Sequence, residues 1–319
     1  GSGQYINMTA IQPSQVELEN LRWETTDQLN IGLDLMMFND RWSITAEYYD
    51  KITNDVLREN YNLPSSSGYK DLNFFNEGRI RNTGWEFNTR ITAIKTKDLN
   101  VAFNFNIYSN RNSFLSLPLN VDNEDATIGN GNYPTKAVVG TPVGSFFGFE
   151  YLGVYPTSAD AVARNADGSK KLDKNNNPIP MNYNGIYQFE AGDAKYRDTN
   201  FDGVIDLDDV VYLGDSNPDY AGGFGTNIKY KGFAFSAQFL YRVGYQIVNM
   251  VASDTESMSN KNNQSVAVIR RWRKPGDNFD EMLPRAYEGN IANNLGSDRY
   301  VEDGSFLKLN NVSLSYNFS

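Results

Sequence analysis

From Gln28 the chain alternates without a break, with Leu29, Ile31, Leu33, Leu35 and Met37 on one side and Gln28, Asn30, Gly32 and Asp34 on the other. A period of two belongs to a strand with one apolar face, because successive side chains leave a pleated backbone on opposite sides. Asn39, Asp40 and Arg41 make a short turn, after which Trp42, Ile44, Ala46 and Tyr48 alternate with Ser43, Thr45, Glu47 and Tyr49. The two segments predict a hairpin. A third strand, Trp85, Phe87, Thr89, Ile91 and Ala93 against Glu86, Asn88, Arg90 and Thr92, turns within residues 95–98 into a fourth. That one carries Leu99, Val101, Phe103, Phe105 and Ile107 against Asn100, Ala102, Asn104 and Asn106. Phe224 to Tyr230 then turn at Lys231 and Gly232 into Phe233 to Tyr241, and Val312, Leu314, Tyr316 and Phe318 form a last alternating segment.

The connections sort by length. Three turns are short, whereas the stretches of about 50–78, 111–223 and 243–298 are long and rich in Asn, Gly, Pro and Asp. Short turns at one end and long loops at the other predict an all-β antiparallel transmembrane β-barrel segment of about eight strands, with periplasmic turns and extracellular loops. Leu29 to Met37, at about 3.4 Å per residue and a tilt of about 40°, spans roughly 20 Å, near the ~25 Å apolar band of such barrels. Trp42, Phe233, Tyr316 and Phe318 fall near the short-turn end and Tyr48, Trp85 and Tyr241 near the long-loop end, as two aromatic girdles would. The alternative is a soluble β-sandwich or jelly roll, whose second sheet would cover the same apolar faces.

Composition narrows the function more than the fold. The 319 residues have a polar average, with a mean hydropathy of -0.54, and no apolar run approaches the ~20 residues of a membrane helix. A net charge of -10 argues against nucleic-acid partners, which need a basic surface. Cysteine and histidine are both absent, so thiol chemistry, imidazole bases and the usual Ser-His arrangements are unavailable. The first residues, GSGQYIN, show no charged region leading into an apolar run, so no signal peptide is read there.

One motif carries chemistry. In DTNFDGVIDLDD, Asp198, Asn200 and Asp202 stand at positions 1, 3 and 5 of a calcium-type loop, with Gly203 at the sharp turn. Val204 would offer its carbonyl at position 7, Asp206 an oxygen at position 9, and Asp209 the closing carboxylate at position 12, one methylene short of the usual Glu. The expected ion is a structural Ca2+, since no helix pair flanks the loop as in a sensor. Strand parity places the loop on the extracellular side, with Asp193 and Asp215 as optional further ligands. Asp206, Asp208 and Asp209 are too close together for a glycosidase pair, which needs carboxyls across a cleft.

Other groups have bland readings beside sharper ones. Arg270, Arg271, Trp272, Arg273 and Lys274 precede Pro275 and Gly276 as a solvated helix end would; the alternative is an anchor for a partner or for lipid phosphates. Asp34, Glu47, Glu86, Arg90 and Arg242 would face inward and wet the wall. Tyr61, Tyr69 and Tyr133 would lie in loops, where rings could stack on sugars.

Six ordered blocks together resemble the barrel of SusC/RagA-like TonB-dependent outer-membrane transporters. They are LRWETTDQLNIGLDLMMFNDRWSITAEYYDKITNDVL, NEGRIRNTGWEFNTR, TPVGSFFGFEYLGVY, GDAKYRDTNFDGVIDLDDVVYLGDSNPDYAGGFGTNIKYKGFAFSAQF, RRWRKPGDNFDEMLPR and SDRYVEDGSFLKLNNVSLSYNF. The resemblance implies that residues 1–319 are part of such a barrel, without its plug, its early strands and its last strands. It also implies a bacterial outer-membrane location in contact with lipid, energy from TonB through the plug, and a SusD-like surface lipoprotein as a lid. The solute would be a glycan oligomer or a peptide, moved without catalysis. Two other functions stand against this: a secreted calcium-stabilised sandwich that binds carbohydrate or acts as an adhesin, and a carboxylate hydrolase.

Overall fold

A computed structural model describes residues 2–5, 8–11, 21–62, 71–76, 78–117, 133, 137–278 and 280–318. Seven strands form one antiparallel sheet: β1 (Thr25–Met37), β2 (Trp42–Asn54), β3 (Arg79–Lys95), β4 (Leu99–Ser116), β5 (Tyr220–Tyr230), β6 (Phe233–Val243) and β7 (Phe306–Tyr316). Their spatial order follows the chain, so the sheet is an up-and-down meander. The segments read from alternation all appear, as seven strands where about eight were expected.

Register joins the apolar positions into continuous rows. Leu35, Ile44, Thr89, Phe105, Phe224, Phe239 and Leu309 stand side by side across all seven strands. One residue along, the row is Met36, Ser43, Arg90, Asn104, Gly225, Gln238 and Asn311, on the opposite face. The apolar face is open: Leu33 is 53% exposed, Phe103 50% and Leu314 70%. No second sheet covers it among the described residues, which removes the sandwich alternative. In water such a face would be unstable, but against hydrocarbon it is solvated. Likewise, no helix is long and apolar enough to cross a membrane.

The strands run past the apolar band. Thr25–Asp27, Asp50–Asn54, Arg79–Thr83 and Ser109–Ser116 extend the ladder with residues that are largely polar on both faces, where alternation gives no signal. The long connections are accordingly 55–78, 117–219 and 244–305, all at one end, opposite turns at 38–41, 96–98 and 231–232. Phe38, Asn39 and Asp40 take the first turn with φ of 57°, 55° and 61°, a left-handed run that Asn and Asp tolerate and Phe resists. Two glycines in the strands lie under tyrosines: Tyr49 lies over Gly84 and donates to Asn110 Oδ1 at 2.9 Å, and Tyr241 lies over Gly222 and donates to the Asn106 carbonyl at 2.9 Å.

The hydrophobic core is not in the sheet. Phe149, Tyr155, Met181, Tyr183, Phe189, Tyr196 and Ile205 pack with Ala292 and Leu295, so the second and third long connections build one outer domain together. Short ribbons frame it. Tyr151–Val154 pairs with Ala194–Tyr196, Ser145–Gly148 with Val211–Asp215, and Gln246–Val248 with Val301–Asp303. The halves are stitched by the Phe149 amide donating to the Gly296 carbonyl at 2.9 Å and the Asp298 amide donating to the Phe149 carbonyl at 3.1 Å.

Candidate metal centre

The 198–209 loop leaves the strand Ala194–Tyr196 and ends in a single 3-10 turn, Leu207–Asp209. β4 and β5 are direct neighbours, so the loop belongs to one long connection at the end that faces outward in outer-membrane barrels. Gly203 has φ of 94°, and a Cβ there would stand 2.8 Å from that of Ala163, so both torsion and space require glycine. Phe201 also turns left-handed, at 59°.

The loop is organised by its own amides. Asp198 accepts from the amides of Asp202 at 3.2 Å and Gly203 at 2.9 Å, Asn200 from that of Asp202 at 2.9 Å, and Asp202 from that of Val204 at 2.7 Å. The Asn200 side chain donates to the second Asp202 oxygen at 3.0 Å. At the far end Asp206 and Asp209 cap each other's turn, the Asp206 amide donating to Asp209 at 3.1 Å and the Asp208 amide to Asp206 at 2.9 Å. The Thr199 amide donates to Asp209 at 2.6 Å, tying position 2 to position 12. Val204 pairs in parallel with Asn182 through the flanking Gly203 and Ile205 carbonyls, so its own carbonyl points away from that partner strand.

Burial pushes the Asp198 carboxyl above the usual carboxylate range, and the Gly203 and Asp202 amides offset only part of that. Burial does the same to Asp209, against the Thr199 and Asp206 amides. Among the described residues neither forms an ion pair with a basic side chain. Lys171 reaches the loop, but its ammonium donates to the Phe201 and Asp202 carbonyls, at 2.9 and 3.2 Å, not to a carboxylate. Among the described residues no three acidic side chains are gathered as a ready-made metal cluster. Uncompensated carboxylates repel, and here each turns to an amide instead.

Other candidates have structural partners. Asp193 is fully buried and receives Arg285 Nε at 2.8 Å, the Tyr187 hydroxyl at 2.8 Å and Asn293 Nδ2 at 3.0 Å, so it belongs to a clamp apart from the loop. Asp215 accepts from the Tyr212 hydroxyl and the Asn217 amide. The basic run begins in a short 3-10 turn, Val266–Arg270, where Arg270 pairs with Glu281 at 2.6 Å and Trp272 packs on Gly192. On the inner face Glu47 and Glu86 stand directly opposite each other, while Asp34 accepts from Thr45. Arg90 and Arg242 lie on other rows, so these residues line a wall without converging. Tyr133 donates to the Ser297 carbonyl at 2.8 Å. Tyr69 and the side chain of Tyr61 lie outside the described residues. The Asp193 clamp had no sequence signal, since its partners come from 92 and 100 residues away.

A meander that is apolar on one face and polar on the other, with every long connection at one end, is the wall of an outer-membrane β-barrel. No protein-family model matches the chain. It is 31% identical over 316 residues to a TonB-dependent receptor of Formosa agariphila, covering 98% of the chain and 29% of that receptor. To the TonB-dependent receptor SusC of Bacteroides thetaiotaomicron it is 25% identical over 307 residues, covering 94% of the chain and 26% of SusC. The RagAB peptide importer in its open-open state shares the fold, with a TM-score of 0.71 at 21% identity over 99% of the chain and 31% of that chain. The chain belongs with the TonB-dependent receptors of the outer membrane, and its fold is that of part of the RagAB barrel. It spans under a third of the length of the curated relatives it matches.

Proposed function

We propose that the whole protein imports a peptide or a glycan oligomer across the outer membrane, through a barrel of which these strands are one arc. The sorting of all long connections to one end carries this reading, because it puts a packed outer domain at the mouth of a polar-walled sheet. Energy arrives from TonB through a plug, and a SusD-like surface lipoprotein closes the outside as a lid. The SusC-type relatives and the fold shared with RagAB support both partners. The wall does no chemistry; it passes solute.

A structural Ca2+ in the 198–209 loop completes the proposal. Asp198, Asn200, Asp202, the Val204 carbonyl, Asp206 and Asp209 supply the oxygen donors that a hard cation takes and would draw together around it, and among the described residues neither Asp198 nor Asp209 has an ion-pair partner. The ion would stiffen the outer domain where solute enters. The test is uptake of labelled oligopeptides and oligosaccharides by cells with and without the intact protein. Uptake of one class is expected to need both the protein and TonB, and uptake indifferent to either overturns the reading.

A further inference from the structure

Beside the 198–209 loop, and partly lined by it, the outer domain holds a recess. The ribbon Tyr151–Val154/Ala194–Tyr196 turns Tyr151 and Tyr196 toward each other, ring centroids 6.0 Å apart, while Leu152 and Lys195 alternate to its other face. There they line a cavity of about 540 Å³. Its walls include Leu152, Val162, Met181 and Phe201, and Leu152 and Phe201 stay 45% and 43% exposed within it.

Two polar groups meet this recess. Tyr155 is 2% exposed, and its hydroxyl, which is not among the sealed unpartnered polar atoms of the described residues, meets the recess that the ring lines. A tyrosine hydroxyl at the wall of a recess can bond to what fills it. Lys195 makes no ion pair among the described residues, whereas its neighbour Arg197 is held by Glu150 at 2.6 Å. Asp160, on the same rim, is engaged by the Thr157 hydroxyl at 2.7 Å. A concave, mostly apolar site of several hundred Å³ with a few convergent polar groups is the usual form of a small-molecule site.

We propose that this recess binds an alkyl or aryl carboxylate. Its apolar body would lie against Leu152, Met181 and Phe201, its single negative charge would neutralise Lys195, and the Tyr155 hydroxyl would supply a hydrogen bond. Asp160 and Asp198 share the rim and disfavour a dianion, while Arg197 is taken by Glu150 and Arg164 donates to the Gly168 carbonyl at 2.9 Å. Asp198, Thr199 and Phe201 of the 198–209 loop form part of the lining, so binding is compared at one fixed Ca2+ concentration.

Calorimetry on the intact transporter in detergent tests this with N-acetylphenylalanine, octanoate and the amide of each. At least one acid should bind about tenfold more tightly than its amide, the size of one charge-assisted contact. Lys195→Gln should remove that preference, and Leu152→Trp, which fills an exposed position of the recess, should abolish binding. Three results overturn the site: no saturable binding of either acid, binding that survives Leu152→Trp, or a preference for acid over amide that persists in Lys195→Gln.

Discussion

Arg285 lies 92 residues beyond Asp193, yet its Nε donates to an Asp193 carboxylate oxygen at 2.8 Å. The Glu190 amide donates to the same carboxylate at 2.8 Å, so one buried anion gathers both halves of the outer domain. Arg285→Met leaves that anion short of its cation. The expected loss is near the lower end of the ~3–5 kcal/mol for breaking a buried pair, because Arg285 keeps 26% of its side chain exposed. It is read as faster hydrogen exchange across the outer domain with the sheet still protected, and unchanged exchange there refutes it.

The metal loop makes a separate prediction. Asp202→Ala removes the acceptor of the Val204 amide and one proposed ligand, and should weaken Ca2+ binding about tenfold or more. Asp208→Ala, at a position that supplies no ligand side chain, should leave affinity unchanged. Calorimetry on both variants decides it; equal affinities sink the ligand assignment.

Adjacent residues on opposite faces should respond differently to the same change. Phe105→Arg puts a cation into hydrocarbon and should destabilise the barrel by about 2–4 kcal/mol, whereas Asn106→Arg, facing the wet interior, should cost well under half as much. Heat-modifiable migration of the folded protein in gels reads the difference. Equal effects would mean the faces are assigned the wrong way round.

Gly84→Val should also destabilise the sheet, by about 1–3 kcal/mol, through overpacking. A Cβ at Gly84 would stand 2.4 Å from the Tyr49 hydroxyl and 2.5 Å from the Ser109 carbonyl. Tyr49→Ala in the same chain should recover part of the loss, and a double-mutant cycle without coupling would count against the contact.

Alkali should loosen the outer domain before the sheet. Burial raises the Tyr133 and Tyr151 hydroxyls from the ordinary 10 to about 12, and they donate to the Ser297 and Met282 carbonyls at 2.8 Å. A folded value above the unfolded one gives stability that is complete below pH 10 and lost as pH climbs through 12. Tyrosinate absorbance should therefore rise together with loss of outer-domain structure. Ionisation near pH 10 with the domain intact would contradict the burial.

The sheet was legible because a membrane wall forces period two on every strand, as in Leu29 to Met37 and Phe233 to Tyr241. It faded where Arg81–Thr83 and Ser109–Ser113 leave the apolar band, since residues that are polar on both faces carry no contrast. The turn of the 198–209 loop was legible as local spacing, with Gly203 left-handed where the motif places a glycine. The outer core was not. Phe149, Phe189 and Leu295 sit in stretches that look like Asn- and Gly-rich loop, and they meet only after the chain has passed through β5 and β6.

That late meeting has a consequence for assembly. One half of the outer domain is carried between β4 and β5, the other between β6 and β7, and they fit only when those strands stand in the right register. A slip of two residues keeps every apolar side chain on the lipid side, so the bilayer itself would not notice it. It would shift the halves by about 7 Å and part Phe149 from Gly296. The outer domain therefore acts as a gauge for strand alignment that lipid cannot supply, closing only over a correctly aligned wall.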